Sequence, residues 1–154
     1  MSNIAVFPGS FDPITRGHES VINRALPLFD KIYIAIGTNE NKAPYFSIEK
    51  RIYWIKQVFH HQPKIDIITY NGLTVTLCKE LHATFILRGL RTAADFEYER
   101  AIAQTNRFLE EGIETVFLLT TPEHTSITST IVREIIRYGG DVSKFVPDGI
   151  DLYE

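Results

Sequence analysis

The chain carries a single cysteine, Cys78, in 154 residues, which excludes an intrachain disulfide and a cysteine-based zinc site. No apolar run approaches the roughly 18 residues needed to cross a bilayer. No basic segment leading into an apolar core opens the sequence, so a cytoplasmic protein is expected. Excess positive charge is lacking as well. A net charge of −3 leaves no general basic surface for nucleic acid, although a local basic pocket remains allowed. Internal repeats, low-complexity stretches and linkers are absent. The length suits one domain, residues 1–154, and is too short for two.

What is present is an alternation. Short β-branched runs at 4–7, 32–36, 65–69, 85–87 and 115–119 alternate with segments of helical period. Val21, Ile22, Ala25 and Phe29 form one helical stripe, which Pro27 should kink or end. Ile48, Ile52, Ile55 and Phe59 form a second, entered through Ser47 as N-cap. A third helix is expected over 73–81. Thr92 and Asp95 resemble a capping box opening a fourth, to about 109. Ile131, Val132, Ile135 and Ile136 mark a fifth, closed by Gly139-Gly140. Five βα units predict a single-domain, Rossmann-like, doubly wound five-stranded parallel sheet flanked by helices. A short tail is expected from about 143. In such folds ligands bind beyond the carboxyl ends of the strands, where strand order reverses.

The residues able to do chemistry fall at that rim. Residues 9–18 read Gly-Ser-Phe-Asp-Pro-Ile-Thr-Arg-Gly-His, directly after the first apolar run. A strand, a turn and a helix start carrying a histidine make a phosphate site, because free backbone N–H groups and the helix dipole attract anions. Gly9 and Gly17 would let the main chain approach a ligand. Lys42 follows the second strand. Arg88-Gly89-Leu90-Arg91 follows the fourth, offering two forked guanidinium groups to phosphate oxygens. Glu99 and Asn106, seven residues apart, share a helix face. The hydroxyl-rich 125–130 segment can cap its own helix or donate to a phosphate. His60-His61 reads as an exposed helix end, and Cys78 as a small buried hydrophobe.

Thr15-Arg16-Gly17-His18 matches the threonine form of the (His/Thr)-x-Gly-His motif of the nucleotidyltransferase superfamily. Together with Gly-Ser-Phe-Asp-Pro at 9–13, Lys42 with Pro44, Arg-Gly-Leu-Arg at 88–91, Asp-Phe-Glu-Tyr-Glu at 95–99, Asn106-Arg107 and Ile-Thr-Ser-Thr at 127–130, it resembles the phosphopantetheine adenylyltransferase family over nearly the whole chain. The resemblance implies adenylyl transfer from ATP to 4′-phosphopantetheine, giving dephospho-coenzyme A and pyrophosphate. It also implies Mg²⁺ held mainly by the ATP phosphates, a homohexamer built as a dimer of trimers, and coenzyme A as an inhibitor. Carried over by position, His18 would stabilise the transition state, with Lys42 and Arg91 as further catalytic groups. ATP would meet Ser10, Phe11, His18, Gly89, Leu90, Arg91, Glu99, His124, Thr125, Ser126, Ile127, Thr128, Ser129 and Thr130. The acceptor would meet Ser10, Lys42, Thr74, Arg88 and Asn106.

The residues fit that chemistry. A phosphate monoester is largely dianionic at pH 7, with a second pKa near ~6, so it needs no protein base to become a nucleophile. No Ser-His-Asp type of pair stands out. The task is to align two anions and offset their repulsion. Alternatives are a related nucleotidyltransferase with another phosphorylated acceptor, a non-catalytic adenine-nucleotide sensor, or a nucleic-acid module on the same fold.

Overall fold

The computed structural model describes residues 2–38 and 43–153. In chain order the elements are β1 (Ile4–Gly9), α1 (Arg16–Ala25), β2 (Lys31–Gly37), α2 (Ile48–Val58), β3 (Ile65–Tyr70), α3 (Thr74–Glu80), β4 (Phe85–Leu90), α4 (Ala93–Leu109), β5 (Glu114–Leu119) and α5 (Ser129–Arg137). The strands form one parallel sheet in the order β3-β2-β1-β4-β5. Strand order therefore reverses between β1 and β4, and the loops after them flank a crevice.

Pleating sends alternate side chains to opposite faces. Ala5, Phe7, Ile32, Ile34, Ile36 and Leu87 join α1, α2 and α5 in the larger core. Val6, Ala35 and Ile86 pack with Val75, Leu77 and Cys78 of α3 on the other face. α4 covers that second face differently, since its single buried residue is the polar Glu99. A cleft stands where a core would otherwise be. The tail folds back, burying Val146 and Leu152 in the larger core.

Several local expectations are corrected. β4 continues to Leu90, so Arg88, Gly89 and Leu90 are strand residues paired with Phe117, Leu118 and Leu119 and not part of the loop that follows. Arg88 ended the apolar run without ending the strand, because its side chain faces the polar cleft. Pro27 ends the first helix as expected, since it cannot supply an N–H to continue it: α1 stops at Ala25 and tightens into a 3₁₀ turn over Leu26–Leu28, which leaves Phe29 of the expected stripe outside the helix. The third helix is confined to Thr74–Glu80. Only half of the α4 capping box forms. Thr92 accepts the Asp95 N–H, whereas the Asp95 carboxylate turns to Arg91.

Candidate active site

The 9–18 segment is shaped by its own side chains before any ligand is considered. Phe11 holds a left-handed φ of 47°, and its ring packs against the His18 imidazole with centroids 4.8 Å apart. Gly9 makes room for that ring. A Cβ at Gly9 would lie 3.0 Å from Phe11 Cε2, so the absent side chain serves packing within the loop. Gly89 does likewise for α1, where a Cβ would meet Val21 Cγ2 at 3.1 Å.

At α1 the histidine completes a reciprocal cap. Thr15 Oγ1 accepts the His18 N–H at 3.3 Å, and His18 Nδ1 accepts the Thr15 N–H at 3.0 Å. A ring nitrogen that accepts carries no proton, so the neutral ring holds its proton on Nε2. Burial, reinforced by the nearby Arg88 and Arg91 guanidiniums, lowers the His18 pKa to about 4. His18 is therefore a neutral donor at physiological pH, and it lines the cavity beside β1 and β4.

The anion-binding end expected at α1 is partly closed. Its first N–H, from Arg16, donates to the Phe145 carbonyl at 2.9 Å, and that of His18 is engaged by Thr15. The Arg16 side chain also turns to the tail, reaching the Val146 and Ser143 carbonyls and Asp148. α5 is more open. Thr128 caps the Ile131 N–H, while the Ser129 and Thr130 N–H groups take no partner among the described residues. Ser129 Oγ donates to the Pro13 carbonyl and Arg133 to that of Asp12, so α5 is tied to the first loop.

Both arginines of the 88–91 segment arrive with carboxylates attached. Arg88 donates through Nε and Nη2 to Glu99, at 2.6 Å for the shortest contact, and through Nη1 to the Pro8 carbonyl. Arg91 is gripped by Asp95 through its main-chain N–H, Nε and Nη2. These pairs fix the direction of each guanidinium while leaving further N–H groups for a ligand.

Two cavities meet at the Arg88–Glu99 pair. One, of about 390 Å³, includes Ser10, Phe11, His18, Arg88, Gly89, Arg91, Glu99, Ile127, Thr128 and Ser129 in its lining. The other, of about 230 Å³, lies between α4, α3 and the sheet and includes Thr74, Arg88, Glu99 and Asn106. Other expected residues stand apart. Leu90 is buried, with its carbonyl accepting from Thr120, and His124 pairs with Thr121. Thr125 donates to the Thr121 carbonyl, Thr130 accepts from Arg133, and Ser126 is exposed. Lys42 lies outside the described residues. The residue reading missed Asp95 as the holder of Arg91, and missed Tyr98 and Thr115 in the cavity walls. The Asp95-to-Arg91 spacing of i, i−4 was the available signal for the first.

The Cytidylyltransferase-like family model matches residues 6–135. A phosphopantetheine adenylyltransferase of Flavobacterium psychrophilum is 56% identical over 95% of this chain and 96% of its own. The chain belongs to the phosphopantetheine adenylyltransferase family. Another member, from Bacteroides thetaiotaomicron, is 50% identical over 96% of this chain and 97% of its own. The fold extends beyond the family. A nicotinic acid mononucleotide adenylyltransferase of Plasmodium falciparum, solved with NaAD, superposes with a TM-score of 0.68 at 18% identity, covering 96% and 92% of the two chains. In this chain the histidine-capped α1 and the switch-point crevice thus sit on a fold shared beyond the family.

Proposed function

We propose that the protein transfers the adenylyl group of ATP to 4′-phosphopantetheine, giving dephospho-coenzyme A and pyrophosphate, the penultimate step of coenzyme A synthesis. The observation that carries this reading is the pair of cavities joined at Arg88 and Glu99. Two phosphorylated substrates can each occupy one and present their reacting groups at the junction. ATP takes the cavity of His18, Arg91 and the α5 start; the acceptor arm takes that of Thr74 and Asn106. Its phosphate meets Arg88, Ser10 and Lys42.

An acceptor phosphate oxygen then bonds to the α-phosphorus as the bond to the leaving pyrophosphate breaks. His18 Nε2–H donates to the α-phosphoryl oxygens as charge shifts there, and Arg91 with the α5 N-terminus receives the departing charge. The donor set suits Mg²⁺ carried by the triphosphate. Both cavity carboxylates are held by arginines, and no cluster of three His, Cys, Asp or Glu stands ready for a metal among the described residues. Bound there, the ion would supply neutralisation of phosphate charge. The product dephospho-coenzyme A, and coenzyme A as inhibitor, would occupy the same joined cavity. A cytoplasmic location belongs to the same proposal; among the described residues no helix is long and apolar enough to cross a membrane.

Pyrophosphate release from ATP tests the reading. Turnover with 4′-phosphopantetheine is expected to exceed that with unphosphorylated pantetheine by about 10²-fold or more, since a charged contact to phosphate is lost. Equal turnover, or preference for another phosphorylated acceptor such as nicotinamide mononucleotide, would overturn it.

A homohexamer belongs to the same proposal. α4 leaves Phe108 91% and Tyr98 70% exposed, together with Leu109, and such apolar surface marks an interaction face. Light scattering is expected to give six chain masses, and a monomer at micromolar concentration would remove this part.

A further inference from the structure

Arg51 of α2 is only 6% exposed, and no carboxylate lies within ion-pair distance of it among the described residues. Its Nη1 donates to the Ser10 carbonyl at 2.9 Å and its Nε to the Phe46 carbonyl at 3.1 Å. Opposite stands Asp12, 7% exposed, whose two carboxylate oxygens accept the Phe46 N–H at 2.9 Å and the Tyr45 N–H at 2.8 Å. Both polar main-chain groups of Phe46 are therefore gripped, one by each charge. The Asp12 carbonyl is held in turn by Arg133 of α5.

This arrangement is costly unless something needs it. A buried guanidinium satisfied by carbonyls alone gives up hydration without an adjacent counter-charge. What it achieves is a rigid link between the turn carrying Ser10 and the point where the chain re-enters α2. We infer that Arg51, with Asp12, is a positioning residue for the acceptor-phosphate side of the site, setting Ser10 against Phe46 at the entry to α2. ATP keeps anchors besides Ser10, in His18, Arg91 and the α5 start, which the link does not touch, so its loss should fall unequally on the two substrates. This inference rests on the adenylyl-transfer reading given above.

The test is steady-state kinetics of the full-length protein with each substrate varied in turn. For Arg51→Met, kcat/KM for 4′-phosphopantetheine is expected to fall about 10²-fold, the effect of displacing a reactant by roughly 1 Å. KM for ATP should stay within about threefold. Arg51→Lys keeps the charge and the fold but can satisfy only one carbonyl at a time, and it is expected to recover roughly a tenth of the lost efficiency. Asp12→Asn, which retains one acceptor, should shift the same acceptor constant less. If Arg51→Met does not fold, Arg51→Lys decides. Equal changes in both substrate constants, or wild-type acceptor kinetics in the lysine variant, would overturn the role. A wild-type protein without adenylyl transfer would instead overturn the parent reading.

Discussion

Replacing His18 with alanine is expected to lower turnover by about 10²–10³-fold with little change in substrate binding, the usual cost of removing one donor aimed at developing charge. The ring does not work as a base. Its Nδ1 is occupied by the Thr15 N–H and its pKa is lowered to about 4, leaving Nε2–H as a donor at any pH near neutrality. Single-turnover measurement of the chemical step checks this, and near-normal turnover in His18→Ala would defeat it. Thr15→Val provides a companion. It removes the acceptor for the His18 N–H and should cost about 1 kcal/mol of stability as a lost N-cap. Acid dependence follows from the same shift. Between about pH 5 and 8 no limb should belong to His18, so the fall in acceptor kcat/KM on acidification follows the acceptor's own second ionisation near ~6. Stability has the opposite origin. The unfolded chain binds a proton on His18 near pH 6.5, which the folded chain refuses until about 4. Stability from this group is therefore intact above 6.5 and declines as pH falls from 6.5 towards 4. That decline should be absent in His18→Ala.

The sheet was legible because its strands are nearly continuous β-branched runs, as burial on both faces requires. Ile32, Ile34 and Ile36 announce β2 whatever the rest of the chain does. β4 was less so, since Arg88 and Gly89 look like a loop until the cleft that takes the arginine is known. Residues around the phosphate sites declared themselves by type, yet their partners did not. Asp95 reads as half of a capping box and Glu99 as one side of a helix face shared with Asn106, and only the placement of α4 over the sheet turns them towards Arg91 and Arg88. Arg16 shows the reverse. It sits inside the motif, yet 127 to 132 residues of sequence separate it from the tail groups it binds. Separations of that size carry no local signal.

Arg88→Met is expected to damage the protein twice, and the two injuries can be separated. The first is structural. Glu99 is 8% exposed, and the guanidinium supplies its paired contact at 2.6 Å. Removing the cation strands the carboxylate, which for buried pairs costs about 3–5 kcal/mol; partial exposure of Arg88 places this case near the lower end. In a domain of this length that corresponds to a Tm lower by roughly 6–12 °C. The second injury is functional. With the guanidinium gone from the wall common to both cavities, kcat/KM for 4′-phosphopantetheine should fall by about 10²–10³-fold. Preference over unphosphorylated pantetheine should largely vanish with it. Adding Glu99→Gln neutralises the stranded charge, so the double variant should regain most of the lost Tm and none of the lost acceptor efficiency. Calorimetry and pyrophosphate release on the two variants decide the matter. Acceptor kinetics that recovered along with stability would mean that Arg88 serves only to hold Glu99.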